Sequence, residues 1–345
     1  MVKIKHAQLA SLIDFLSLKY QVYAPVIHGK ETAFKKINSA SEINKSKYNT
    51  SLNPKDIFFP QSEVMFTYTK EGIQTPPEIK KPIAVWGLRT CDTKSIRILD
   101  KVFANAYQMP DKEMYKDPYW IARYKNCLLF SFACNEPLST CFCNWFESGP
   151  YDSTDSDIFV MDTGNEYLLE GISEKGIKFL KSYQETSQVD QADLDKIEAL
   201  REKAESYMPP VVNLAGLKDK LMDIWDDPIW DEVSAKCINC GACAYICPTC
   251  HCFDVSDEGK EDKGKRVRLW DCCMFQLFTK EASGHNPREL SRNRVRQRVM
   301  HKYNYFVENY QKFLCTGCGR CVQVCPVNLD IRRVIQKILD YNKAK

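Results

Sequence analysis

Seventeen cysteines stand in a chain of 345 residues, and their spacing is the first sign of chemistry. Cys237, Cys240, Cys243 and Cys247, followed by Pro248, match C-x2-C-x2-C-x3-C-P, and Cys315, Cys318, Cys321 and Cys325, followed by Pro326, match it again. Three cysteines at this spacing wrap one face of a 4Fe–4S cluster. The fourth, a helical turn away and before a proline, reaches the neighbouring cluster. The pattern therefore predicts a first cluster on Cys237, Cys240, Cys243 and Cys325, and a second on Cys247, Cys315, Cys318 and Cys321. Gly241, Ala242, Gly317 and Gly319 leave room for backbone N–H groups to approach sulfur. Paired CxxC motifs also bind zinc, but two complete runs ending in Cys-Pro favour iron–sulfur. The 67 residues between the motifs exceed what a compact bacterial ferredoxin holds and point to an α-helical ferredoxin.

Other cysteines fall outside the motifs. Cys250 and Cys252 follow the first one directly, in PTCHCFD, and LWDCCMF supplies Cys272 and Cys273. They suit packing beside the clusters, since free cysteine behaves as a small buried apolar group, or a ligand or redox role, with His251 between two of them. A separate group comprises Cys91 in GLRTCD and Cys134, Cys141 and Cys143 in FACNEPLSTCFC. On turns at neighbouring strand ends, four thiols have the number a third 4Fe–4S cluster needs, and that is the expectation taken here.

Composition narrows the classes. With 44% hydrophobic and 27% charged residues the chain is globular, and a formal charge of +3 says little about partners. No apolar run is long enough to span a bilayer and no signal peptide is evident. Clustered cysteines without export favour thiolate ligands in a reducing, cytoplasmic compartment. PRELSRNRVRQRVMHK carries Arg288, Arg292, Arg294, Arg296, Arg298 and Lys302 against Glu289. This basic helix leads towards anionic clusters, where positive charge favours reduction, so nucleic acid is not expected. GKEDKGKR has P-loop glycine spacing but Arg266 replaces the Ser/Thr, and it reads as a solvated loop. No GxGxxG or HExxH occurs, no flavin or nicotinamide site is predicted in this chain, and no catalytic residues are assigned.

The positioning elements read as α+β: an N-terminal mixed α/β domain followed by a C-terminal α-helical ferredoxin domain. VYAPVI, DIFF, VMFTY, PIAVWGL and NCLLFSF read as strands. DIFVMDTGNEYLLEGI reads as a hairpin. SIRILDKVF between two strands makes a βαβ-like unit with Cys91 on its turn. MVKIKHAQLASLIDFLSLKY reads as an amphipathic helix with Leu9, Leu12, Ile13, Leu16 and Leu18 near one side. QADLDKIEALREKAESYM is a polar helix ended by Pro209-Pro210, and a second helix breaks near Pro228. SDEGKEDKGKR reads as a charged loop, before a long helix running into the second motif. The expected division is a mixed domain over 1–185, a helical linker over 186–230 and the ferredoxin domain over 231–345.

GLRTCDTKSIRILDKVF, DPYWIARYKN, the CFC segment followed by SGP, CPTCHCFD, LWDCCMF, GHNPR and CTGCGRCVQVCPVNLDI, in this order and with FFPQSEVMF near the N-terminus, carry a resemblance. The chain resembles the β subunit of sulfhydrogenases and the related iron–sulfur subunit of anaerobic sulfite reductase, over nearly its whole length. The resemblance implies an electron-transfer subunit of a multisubunit oxidoreductase in anaerobic metabolism. Such a protein stands between a catalytic partner and a flavin- and NAD(P)H-binding subunit. The catalytic partner is a hydrogenase, a sulfite reductase or a heterodisulfide-reductase-type module. Where the family has one cysteine after Trp-Asp, this chain has Cys272-Cys273. The rival reading is a reductase of disulfides or sulfur compounds with its own cysteine site. A redox-sensing nucleic-acid binder is a third.

Overall fold

The computed structural model describes residues 1–45, 50–76, 79–104 and 116–342; the last three residues of the expected ferredoxin domain lie outside them. Among these the strands are β1 (Val2–Lys5), β2 (Gln21–His28), β3 (Glu31–Lys36), β4 (Ser62–Thr69), β5 (Gly72–Gln74), β6 (Ile83–Arg89), β7 (Leu128–Phe132), β8 (Ile158–Asp162), β9 (Glu166–Gly171), β10 (Phe253–Lys260) and β11 (Lys263–Trp270). The chain divides into two units, Met1–Phe59 with Glu78–Pro209 and Thr316–Cys318, and Pro60–Pro77 with Pro210–Cys315 and Gly319–Lys345.

In the first unit a sheet runs in the order β1-β9-β8-β7-β6-β2-β3. Its centre, β2/β6/β7/β8, pairs in parallel. Parallel strands covered on both faces read as unbroken apolar runs, and β6 and β7 are buried almost throughout. Trp86 anchors the core, edge-on to Phe132 at 4.9 Å and to Tyr167 at 5.5 Å. The helix Thr90–Phe103 links β6 to β7, which is the expected βαβ unit. Cys91 sits in the first turn of that helix rather than on the connecting turn. Asp157, fully buried, is held by Arg97 at 3.1 Å and Lys175 at 3.0 Å.

Three sequence readings change here. Val2–Lys5 is a strand paired with β9, and the first helix spans only Leu9–Lys19. It buries Leu9, Leu12, Ile13 and Leu16, whereas Leu18 is 71% exposed because it falls off the stripe. DIFF is a helical turn, Pro54–Ile57, whose N-cap Asn53 side chain accepts from Lys55 N–H. Phe58 and Phe59 are nevertheless core residues.

The second unit holds the helices expected around Pro228, Leu217–Asp223 and Ile229–Ser234. It also holds an antiparallel sheet, β10-β11-β4-β5, so the charged loop read over SDEGKEDKGKR is corrected to a hairpin. Opposite charges face each other across it. Asp257 pairs Arg266 at 2.7 Å and Glu258 pairs Lys265 at 2.9 Å, each directly in register. Such cross-strand pairs stabilise the exposed end of the hairpin. The long helix is Ser291–Met300, then a π-helical stretch His301–Tyr305, then Phe306–Tyr310. The wider π turn buries the consecutive residues Lys302, Tyr303 and Asn304, and such turns are frequent at functional sites. No helix among the described residues is long and apolar enough to cross a membrane.

Candidate iron–sulfur centres

The two motifs fold alike locally. In the first, Asn239 (φ 55°) and Gly241 (φ 75°) are left-handed; in the second, Gly317 (φ 64°) and Gly319 (φ 74°) occupy the same places. Each loop then enters a single helical turn, Ala242–Tyr245 or Arg320–Gln323. A loop that reverses twice in this way turns backbone N–H groups inward, towards whatever the cysteines hold.

Cys237, Cys240, Cys243 and Cys325 line one pocket of about 640 Å³, part of it open to solvent. Met274, Val295, Val299 and Leu329 form its apolar walls, and Cys321 and Arg298 also border it. Leu329 N–H donates to Cys325 Sγ at 3.2 Å. Burial pushes the Cys237 thiol pKa up, the Asn239 N–H opposes it, and Cys243, Cys240 and Cys325 add to the rise. Cys240, Cys243 and Cys325 thus each lie within electrostatic reach of Cys237.

Around Cys247 the setting is different. Its Sγ lies 3.2 Å from Lys302 Nζ and 3.2 Å from Thr249 Oγ1. Lys302 Nζ also donates to Leu314 O at 2.8 Å and to Thr249 Oγ1 at 3.1 Å. The Cys247 pKa is held well below the ordinary thiol range by the Cys250 thiol, with Lys302 and Arg298 helping against burial. Tyr303, fully buried, has its hydroxyl against Cys315, with Cys321 nearby. Arg298 donates to Cys243 O at 3.1 Å. Burial opposes the charge on Arg298 and on Lys302, but surrounding cysteine sulfurs outweigh it and raise both pKa values.

Arg298 and Lys302 make no ion pair with a carboxylate among the described residues, and the buried Arg298 Nε has no hydrogen-bond partner there. A buried cation without an anion costs several kcal/mol. Their hydrogen bonds go to neutral oxygens and to Cys247 Sγ, and the groups that raise their pKa values are cysteine sulfurs. The donor set thus fits an anionic metal–sulfur group. Arg294, Arg298 and Lys302 recur at helical spacing and are buried, while Arg292 and Arg296 pair with Asp231 and Asp226. The basic helix expected from sequence therefore has an inward stripe and a solvated one.

Four cysteines outside the motifs, Cys250, Cys252, Cys272 and Cys273, gather at the root of the β10–β11 hairpin. Phe253 pairs Trp270, and Asp271 N–H to Cys252 O at 3.0 Å extends the ladder one step. This places Cys250 and Cys252 beside Cys272 and Cys273. The Cys252 and Cys273 thiols are hydrogen-bonded to each other, which with burial raises the Cys273 pKa. Cys272 Sγ approaches Gly241 O at 3.8 Å and accepts from Met274 N–H at 3.4 Å. His251 Nδ1 lies 3.0 Å from Thr249 O, and its ring packs on His301, whose pKa burial pushes down to about 3. Nothing in the residue pattern signals this gathering, because the strands that create it look like a charged loop.

In the first unit, Cys134 and Cys141 act on Cys143, whose pKa is raised chiefly by burial. Cys91 and Cys134 are tied to one segment: Thr90 Oγ1 donates to Gly149 O at 3.2 Å and Cys134 N–H to Pro150 O at 2.8 Å. The same unit includes Thr316–Cys318, where Phe142 N–H donates to Gly317 O at 2.8 Å and Cys141 Sγ reaches Cys318 O at 3.8 Å. A Cβ on Gly317 would stand 2.4 Å from the Phe142 carbonyl. Only glycine permits that approach. Cys127, in none of these groups, is buried, and burial pushes its pKa up to about 12.

Paired cysteine loops, an apolar pocket and unpaired buried cations define an iron–sulfur protein. In agreement, the 4Fe-4S dicluster domain family matches residues 236–329, which contain all eight motif cysteines. The chain is 30% identical over 320 residues, 92% of each chain, to the sulfhydrogenase 2 subunit beta of Pyrococcus furiosus. It belongs to the sulfhydrogenase β-subunit family. No solved structure matches it.

Proposed function

We propose that this protein is an electron-relay subunit with one 4Fe–4S cluster on Cys237, Cys240, Cys243 and Cys325 and another on Cys247, Cys315, Cys318 and Cys321. It passes single electrons, in the cytoplasm, between a catalytic partner and a flavin- and NAD(P)H-binding subunit. The catalytic partner is a hydrogenase, sulfite reductase or heterodisulfide-reductase-type module. The named relative, a sulfhydrogenase subunit, supports membership of such a complex. The clusters supply one-electron redox chemistry. The chain supplies thiolates, N–H donors from the reversed loops, exclusion of water, and charge. No residue performs acid–base chemistry in this account.

The observation that carries the reading is the pair Arg298 and Lys302, buried among cysteines, Lys302 on Cys247 Sγ and Arg298 on Cys243 O, with no carboxylate partner among the described residues. Those charges need a resident anion, and thiolate-bound clusters are one. A third cluster on Cys91, Cys134, Cys141 and Cys143 would extend the relay into the N-terminal domain. Its support is the closeness of Cys134 and Cys141 to Cys143, and the Gly149–Pro150 segment that anchors Thr90, next to Cys91, and Cys134. The division at 1–185, 186–230 and 231–345 stands as the functional partition of this reading.

Anaerobic purification with iron, sulfide and zinc determination, and low-temperature EPR of the reduced protein, tests it. About eight iron atoms per chain are expected from two clusters, and about twelve with the third. Loss of one cluster on Cys143→Ser would assign the third to the N-terminal group. Bound zinc in place of iron would overturn the reading.

A further inference from the structure

Four thiols at the hairpin root lie outside the proposed ligand sets, and the structure sorts them. The Cys250 thiol donates a hydrogen bond to Cys247 Sγ. Cys272 is occupied by Gly241 O and Met274 N–H. Asp271 N–H donates to Cys252 O at 3.0 Å, one ladder step beyond the Phe253–Trp270 pair. This brings Cys252 to the turn that carries Cys273, and the two thiols are hydrogen-bonded. Cys252 is half-buried, whereas Cys273 is only 7% exposed. Cys252 is thus the less buried residue of the two.

We propose that Cys252 and Cys273 are a redox-active pair, cycling between dithiol and intrachain disulfide, that reduces small disulfides. Cys252 thiolate attacks one sulfur of R–S–S–R and expels RS⁻, forming a mixed disulfide. Cys273 thiolate then attacks the Cys252 sulfur and expels the second RS⁻, closing the Cys252–Cys273 bond. The two protons lost by the pair end on the two released thiols. Two electrons and two protons restore the dithiol, the electrons arriving one each from two reduced clusters and the protons from solvent at Cys252. This last step rests on the relay reading above; the exchange does not. The pair would thereby join one-electron relay to two-electron sulfur chemistry.

The test is thiol trapping on the anaerobic holoprotein, poised at a series of potentials over which its iron content is constant. Each sample is alkylated, digested with trypsin and analysed by mass spectrometry. Cys252 lies in peptide 237–260 and Cys273 in peptide 269–280. We expect the two peptides to be disulfide-linked in oxidised samples and separately alkylated in reduced ones. The dithiol-to-disulfide ratio should change tenfold per about 30 mV, the signature of two electrons. Cys272→Ser should keep the link and Cys273→Ser should abolish it. In Cys273→Ser, bis(2-hydroxyethyl) disulfide should leave a mixed disulfide on Cys252.

Free alkylation of both sulfurs at every potential, with full iron, would overturn the proposal. So would protection of both at every potential together with zinc or extra iron, which would make them metal ligands. A chain that binds no iron but whose pair still cycles in a thiol–disulfide buffer would sink the relay reading and leave the pair standing.

Discussion

The two cysteine loops share a spacing and a backbone shape, yet their surroundings differ. Cys240 of the first is exposed, and its pocket is walled by aliphatic side chains and Met274, with Arg298 at its border but, among the described residues, no ammonium on a sulfur. Cys247, central to the second set, is buried, with an ammonium, a hydroxyl and a thiol on its sulfur. On the proposed assignment, spacing selects what is held and charge from the long helix tunes its potential. Positive charge near a cluster favours its reduced, more negative state, so the second cluster should have the higher potential.

The largest effect comes from removing ligands. Cys240→Ser should cost the first cluster and Cys315→Ser the second, each lowering iron by about four atoms per chain. The surviving EPR signals should differ and together reproduce the parent spectrum. Identical residual signals would mean that the two environments are not electronically distinct.

Next in size is Lys302→Met. Lys302 touches Cys247 Sγ at 3.2 Å. At an effective dielectric near 20, a unit charge about 6 Å away contributes roughly 3 kcal/mol. For one electron that corresponds to a shift on the order of 100 mV. Redox titration followed by EPR should show the second cluster's potential falling by that amount and the first cluster's much less. Lys302→Arg should retain most of the parent value. Equal shifts in both clusters would erase the contrast between the two settings.

How much of this was legible in sequence depends on which force wrote the pattern. Ligand spacing is local, so all eight motif cysteines were readable. So were β6 and β7, whose burial on both faces leaves apolar runs. The β10–β11 hairpin was not, because its pairing rests on Asp257–Arg266 and Glu258–Lys265, and charge-rich strands look like loops. Losing the hairpin hid the meeting of Cys252 with Cys273. The inward stripe of the basic helix was half visible. Arg294, Arg298 and Lys302 stand four apart, which marks one helix face, but sequence alone does not say which face is buried. The π turn that brings Lys302 and Tyr303 inward together has no sequence signature.

Smaller effects probe the loop backbone. Gly241 has φ 75°, and a Cβ there would stand 2.6 Å from the Phe275 ring and 3.1 Å from Cys272 Sγ. Gly241→Ala combines the left-handed penalty of about 1–2 kcal/mol with a clash that Phe275 can partly relieve. Iron release to a chelator should accelerate from the first cluster only, with a stability loss of about 2 kcal/mol in denaturant titration.

The smallest effect tests the left-handed position at which the loops differ in residue but not in shape. Asn239 and Gly317 share the left-handed conformation, but Asn239 also donates to Ser291 Oγ at 2.8 Å and accepts from Arg294 Nε at 3.3 Å. Asn239→Gly gives the first loop the second loop's residue while keeping the N–H that faces Cys237. Full iron content is therefore expected, with a stability loss of about 1 kcal/mol for the lost side-chain bonds. Asn239→Val, a β-branched residue at positive φ, should lose iron from the first cluster. If Asn239→Gly also loses iron, the side chain rather than the loop shape holds the first cluster in place, and the likeness of the two loops is superficial.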